Sequence, residues 1–330
     1  MPPDRRKTIF TSGIRVLLFL FLCYWIAGGC TKEIEIELPD QKPEYVLNCF
    51  FQPLTMPYLQ PVLISLSNTT GFLDTSSFQM FQEADISLYA GDSLIGKPEY
   101  SEENQNYVLS LYGEKMIRLN PGHFNLSVEH EGNLLTAADQ LPRRIIPEKI
   151  IVDSYAGKDE DNRNFGRVNI VFTDPPGKSN FYEVTIGTAS SGGLKKLYTD
   201  FPSITSEPYY PSSLNLDQTN PEFLPFSDAA FDGEKVSIPV IYKHGLITPG
   251  QNVTPHTITV HFRTISENYY KYRVSLLRQA YMIKSDVLYG QSEPLNVYSN
   301  IEGGYGIFAA FQSVDQSFII DKDSVYEIDF

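Results

Sequence analysis

The chain has 330 residues, 42% of them hydrophobic, which is enough apolar material for one large domain or two of ordinary size. It carries 26 basic against 40 acidic residues, a net charge of −14, and a field of that sign argues against nucleic acid as a partner. With only three cysteines, Cys23, Cys30 and Cys49, it does not have the composition of a disulfide-stapled fold.

Arg5, Arg6, Lys7 and Arg15 form a basic front, Val16 to Ala27 an apolar run, and Ala27-Gly28-Gly29 leads into Cys30. The run is the length of a signal-peptide core and short of the roughly 20 residues a spanning helix needs. Small residues before a cysteine suit cleavage by a lipoprotein signal peptidase, although Ala27 stands where leucine is usual. The reading is a signal peptide over 1–29, with Cys30 lipidated as the first mature residue. The mature chain would hold 22 basic and 39 acidic residues, a net −17. An acidic tether, 30–44, follows, with Glu33, Glu35 and Glu37 alternating with isoleucine. No Asp follows Cys30 to signal inner-membrane retention, so the outer membrane is expected.

From Tyr45 onward the pattern has strand period. Pro61–Ser67, Ala84–Tyr89, His123–His130 and Val168–Thr173 run apolar or alternate between clusters of Gly, Pro, Asn and Asp. That spacing predicts a mainly β protein of two β-sandwich modules. The first, Ig-like, covers 45–142; Arg143–Pro147 reads as a hinge; the second, β-rich, covers 148–330. Cys49, in an apolar stretch, reads as a small core residue.

Within the second module, Gly157–Asn164 is an acidic loop, and Asp174-Pro-Pro-Gly177 is a turn in which Pro fixes φ and Gly admits a positive one. Thr199–Asp228 is too long and too irregular for strands and reads as a functional loop or a disordered segment. One amphipathic helix is predicted at about 266–283, capped by Ser266. Its stripe is Ile265, Tyr269, Tyr272, Leu276, Ala280 and Ile283, with Lys271, Arg273 and Arg278 on the wet face.

Nucleophile, phosphate-loop and His-Glu-x-x-His motifs are absent, and His123, His130, His244, His256 and His261 show no zinc spacing. Glycosidase carboxylate pairs come from distant strands and leave no local signature. Two acidic groups are candidates for calcium. In Asp159–Asn162, Arg163 and Asn164 stand where an EF-hand loop needs an acid and a glycine. In Phe226–Gly233 the candidate calcium ligands are Asp228 and Asp232, set against an anchored turn with Phe226 and Phe231 buried. Gly303-Gly304-Tyr305-Gly306 reads as a bulged entry to a strand.

Several stretches resemble a family of Bacteroidota outer-membrane lipoproteins, domain of unknown function 4249. They are Cys30–Glu37, Ala84–Tyr89, Gly122–Val128, Phe226–Gly233, Ser266–Tyr272 and, most distinctively, Ser299–Phe308. The resemblance implies a lipid-anchored protein working beside a TonB-dependent receptor, with no catalytic residues to carry over. It also gives Glu33, Glu35 and Glu37 the meaning of a surface-export signal. The expected function is therefore that of a non-enzymatic surface lipoprotein, accessory to such a receptor in nutrient uptake. The alternatives are an envelope scaffold or adhesin, and a surface hydrolase of glycan or peptide.

Overall fold

The computed structural model describes residues 43–53, 61–70, 80–111, 122–188, 193–205, 220–243, 255–289 and 296–330. The expected signal peptide, Cys30, Glu33, Glu35 and Glu37 lie outside them, as do His244 and the middle of the Thr199–Asp228 segment.

Eight strands precede residue 142: β1 (Tyr45–Phe51), β2 (Val62–Asn68), β3 (Asp85–Ala90), β4 (Ser93–Gly96), β5 (Glu99–Ser101), β6 (Asn106–Leu109), β7 (His123–His130) and β8 (Asn133–Gln140). Then come β9 (Lys149–Lys158), β10 (Asn164–Thr173), β11 (Phe181–Thr188), β12 (Leu197–Tyr198), one turn of helix α1 (Pro202–Thr205), β13 (Leu224–Ser227), β14 (Lys235–Lys243) and β15 (His256–Ile265). The chain ends with helix α2 (Glu267–Tyr289), β16 (Ile301–Glu302), β17 (Tyr305–Ile320) and β18 (Val325–Asp329). The protein is mainly β, arranged as packed sheets. Among the described residues no helix is long and apolar enough to cross a membrane.

One eight-stranded sheet, β13-β11-β15-β17-β1-β2-β6-β5, runs through the molecule, and two five-stranded sheets pack against its two halves. Over the β17-β1-β2-β6-β5 end lies β16-β8-β7-β3-β4, and over the β13-β11-β15-β17 end lies β12-β14-β10-β9-β18. Alternation puts one set of side chains from each facing strand inside. The first core joins Leu47, Phe51, Ile64 and Phe308 to Leu88, Phe124, Leu126 and Leu135. The second joins Tyr182, Val184, Val260 and Phe262 to Ile150, Val168, Phe172 and Val240. Each fully buried side chain of this size is worth about 1.5–3 kcal/mol. Cys49 is 1% exposed in the first core, and burial pushes its thiol pKa well up, which suits a packing residue.

Strand β17 joins the two halves. Tyr305–Ala310 pair with β1 in parallel, whereas Phe311–Ile320 pair with β15 antiparallel. The expected division at 142/148 is therefore corrected in one respect. Ile301, Phe308 and Ala310, placed in the second module by sequence order, complete the first core. The first module lacked a strand that only the C-terminal region supplies. Nor does Arg143–Pro147 hang free as a hinge: Ile145 is buried in the second core and its N–H donates to Thr264 Oγ1 at 3.2 Å, while Gln312 donates to the Pro142 carbonyl at 3.0 Å.

Asp139, 5% exposed at the end of β8, sits at the changeover in β17. Its Oδ2 accepts the Ala310 N–H at 2.6 Å and its Oδ1 the Asn268 amide at 2.9 Å, with the Ser266 hydroxyl also bonded to it. Ser266 caps α2, its Oγ accepting the Tyr269 N–H at 3.1 Å and its own N–H donating to the Ala310 carbonyl at 3.1 Å. Burial is the main influence on Asp139 and raises its pKa despite these donors.

Glycine is required at Gly306, where φ is +115° and an added Cβ would lie 2.0 Å from the Leu47 carbonyl oxygen. The bulge expected there is absent: β17 pairs with β1 in unbroken register from Tyr305, and the glycine instead permits close approach of the Leu47 backbone. Helix α2 extends six residues beyond the expected end at 283. Its buried side includes Tyr269 and Val274, while Ala280 of the expected stripe is exposed.

Replacing Asp139 by Ala leaves the Ala310 N–H and the Ser266 and Asn268 side chains without their acceptor, at an expected cost of about 2–3 kcal/mol. Urea unfolding checks this as a lower midpoint at unchanged slope.

Candidate functional site

Two turns meet at one end of the second sandwich, Asp174–Asn180 between β10 and β11 and Asp228–Glu234 between β13 and β14. Asp174, Asp228 and Asp232 bring carboxylate oxygens within 4.8 Å of one another. Asp174 and Asp228 are buried and Asp232 is exposed. Each carboxylate takes a backbone N–H from the opposite turn. Asp228 Oδ2 accepts from Asn180 N at 2.7 Å, Asp232 Oδ1 from Gly177 N at 2.8 Å, and Asp174 Oδ2 from Gly233 N at 3.0 Å.

Side chains add to the lacing. The Asn180 amide donates to Asp228 Oδ2 at 3.1 Å and to Asp174 Oδ1 at 3.3 Å, and the buried Tyr182 hydroxyl donates to Asp174 Oδ1. Tyr182 titrates far above its usual value, through burial first and the Asp174 bond second. Gly233, with φ +75°, lies so close to Pro176 that an added Cβ would stand 2.9 Å from the proline Cβ. Asp228 is 3% exposed. Burial first, then the neighbouring Asp174 and Asp232 charges, raise its pKa above the ordinary Asp value, overcoming the Asn180 bonds.

The sequence-derived pair Asp228 and Asp232 thus occurs with a third acid, Asp174, which sequence reasoning placed only in a turn. Its signal was the aspartate opening Asp-Pro-Pro-Gly, whose side chain was free to bond across to a second turn. Phe226 and Phe231 are buried at 1% and 3%. Both oxygens of Asp174 and one oxygen each of Asp228 and Asp232 accept from protein donors, so the cluster works chemically as a cross-link between turns.

In the acidic loop, the cation is supplied by the chain. Asp159 Oδ1 accepts the N–H groups of Asp161 at 3.0 Å and Arg163 at 2.8 Å, and its Oδ2 pairs with Arg163 Nε at 2.8 Å. Burial pulls the Asp159 pKa up, but the backbone and guanidinium bonds from Arg163 outweigh it and hold the carboxyl below its usual range.

Sequence reasoning missed a buried ion cluster under α2. Glu183 of β11 is fully buried, with Arg263 Nη1 at 2.7 Å and Arg273 Nε at 2.8 Å, the latter out of line for a hydrogen bond. The Tyr269 hydroxyl donates to Glu183 Oε1 at 2.9 Å. The Arg273 guanidinium lies 4.2 Å from the Phe223 ring centroid. Arg273, expected on the wet face of α2, therefore turns inward, because a buried carboxylate draws the nearest guanidinium to it.

The described histidines do not cluster with one another. His130 is buried with Nδ1 3.0 Å from the Tyr45 hydroxyl, His261 Nδ1 lies 2.8 Å from Asp315, and His123 is exposed.

Residues 31–317 match the family model described as Domain of unknown function (DUF4249). The chain belongs to that family. No curated protein matches it. Among solved structures it is 9% identical to a Corynebacterium diphtheriae protein described as membrane anchored, covering 68% of this chain and 54% of that one with a TM-score of 0.20. This chain thus spans about half the length of that protein. The collagen adhesin of S. aureus is 8% identical, with 87% of this chain and 96% of the adhesin covered and a TM-score of 0.17.

Because the Asp228 pKa is raised, the folded state holds that proton more tightly than the unfolded state, and stability falls as pH rises through the gap between the two values. Asp228→Asn keeps an oxygen for the Asn180 donors and removes one of three crowded charges. At neutral pH in EDTA it is expected to unfold at higher urea than the parent, and the difference should close as pH falls below the usual Asp range. Melting curves with added calcium should not move either protein. A calcium-dependent rise in the parent that the variant lacks would reassign the cluster to a cation.

Proposed function

We propose that this member of the family is a lipid-anchored outer-membrane protein, held through Cys30 and carried to the cell surface by Glu33, Glu35 and Glu37. In this reading it serves without catalysis as an accessory to a TonB-dependent receptor in nutrient uptake. The observation that carries the reading is the N-terminal sequence: a basic front, an apolar run too short to span a bilayer, then Ala27-Gly28-Gly29-Cys30 and an acidic tether. Asp228 and Asp232, read from the sequence as candidate calcium ligands, accept backbone N–H groups that tie two turns together.

A thioether-linked diacylglycerol with an amide-linked chain binds membranes far more firmly than the single chain that holds only marginally. Cys30→Ser is therefore expected to abolish palmitate labelling and release the protein from the membrane fraction. Unchanged membrane association of an unlabelled protein would overturn the anchor. Replacing Glu33, Glu35 and Glu37 together by Ala should keep the label but protect the protein from protease added to whole cells. Affinity purification of the detergent-solubilised protein should return a β-barrel receptor. Recovery of the lipoprotein alone, with a receptor co-expressed from the neighbouring gene, would count against the partnership.

A further inference from the structure

The first sandwich carries an open cavity of about 630 Å³ on the outward face of the β16-β8-β7-β3-β4 sheet. That volume lies within the range of about 300–1,000 Å³ typical of small-ligand sites. Its shape follows from the sequence. At the middle of β7 and β8 the outward positions are short: Ser127 stands beside Thr136, and Ala138 beside Asn125. The strands on either side carry taller groups. Tyr89 of β3 neighbours Asn125, and Glu302 of β16 neighbours Thr136. A low floor between higher edges is a trough. Inward-facing Leu126, Val128 and Leu135 are buried in the first core, so the floor rests on packed side chains.

Several walls are fixed in place. Thr136 Oγ1 donates to Glu302 Oε2 at 3.1 Å, and the Asn125 amide donates to the Gly91 carbonyl at 3.2 Å. Asn300 clasps the Phe308 backbone, its Oδ1 accepting the N–H at 3.0 Å and its Nδ2 donating to the carbonyl at 2.8 Å. A ligand would meet a prepared surface and impose little ordering cost on it.

We propose that this trough binds a neutral oligosaccharide. Among the described residues its lining holds no lysine, arginine or histidine, while Asp92 and Glu302 bring two carboxylates that repel phosphates, uronates and sulfated sugars. The Asp92 carboxylate, the Glu302 oxygen that Thr136 leaves open and the Ser127 hydroxyl would lose water to an apolar ligand without gaining a partner, each at a cost. Vicinal sugar hydroxyls supply donors and acceptors to all of them. The Tyr89 ring offers the apolar platform that a sugar's C–H face needs. The inference deepens the nutrient-capture reading by naming a class of cargo. Its test needs no receptor, so failure to co-purify one and failure to bind sugar are separate results.

The full-length protein in detergent is applied to an array of neutral hexose and pentose oligomers, with uronate oligomers and an oligolysine peptide as charged probes. At least one neutral oligomer should bind and the uronates should not. Tyr89→Ala, and Ser127→Tyr, which fills the floor, should each weaken that binding by about tenfold or more. Asp92→Asn lies in an exposed hairpin, cannot disturb the core, and should weaken it too, so the readout survives if either strand variant fails to fold. No binding of neutral oligomers by the parent would overturn the proposal. Binding confined to a charged probe, or undiminished in all folded variants, would do the same.

Discussion

Everything in this molecule depends on one strand serving two sandwiches. Pairing in β17 passes from β1 on one side to β15 on the other between Ala310 and Phe311. Such a changeover leaves backbone groups that neither partner satisfies, and buried polar groups must be paired. Asp139 takes the Ala310 N–H and the backbone N–H of Ser266 takes its carbonyl. The same aspartate bonds the cap of α2, so the strand junction, the helix start and the end of β8 are held at one point. Burial outweighs these donors and raises the Asp139 pKa, so the carboxylate bears a desolvation cost while it satisfies donors from β17 and the start of α2 at once.

The same solution recurs where ends of elements meet. Asp174, Asp228 and Asp232 cross-link two turns by exchanging backbone donors, and Asp159 folds its loop around Arg163. Glu183 anchors α2 to the long sheet through Arg263, Arg273 and Tyr269. A chain with a marked acidic excess thus places several of its carboxylates inside, where hydrogen bonds and guanidinium groups offset their charge.

The sheet facing the first core also carries the trough. Its inward residues are long and apolar and hold it on the shared sheet, while the outward residues at the middle of β7 and β8 are short. Because inward and outward positions alternate along a strand, a concave polar face can be built without weakening the core behind it. The remaining walls come from Asn300 and Glu302, about 170 residues beyond β7, and the Asn300 clasp on Phe308 fixes where they stand.

The sequence by itself determined the class of structure and much of its detail. Strand period with turn residues gave a β-sandwich protein; β7 coincides with the expected His123–His130, and Phe226, Phe231 and Cys49 are buried as their apolar surroundings indicated. Periodicity and turn chemistry are local, so they are legible in a single chain. Tertiary structure alone decided which strands share a core. The pairing of β17 with β1 joins residues more than 250 positions apart, and no local pattern encodes it. The addition of Asp174 to Asp228 and Asp232, the inward turn of Arg273 onto Glu183, and the meeting of Tyr89, Ser127 and Glu302 in one trough were hidden for the same reason. Each depends on register between distant strands, and register is set by the summed burial of two sheets rather than by any segment.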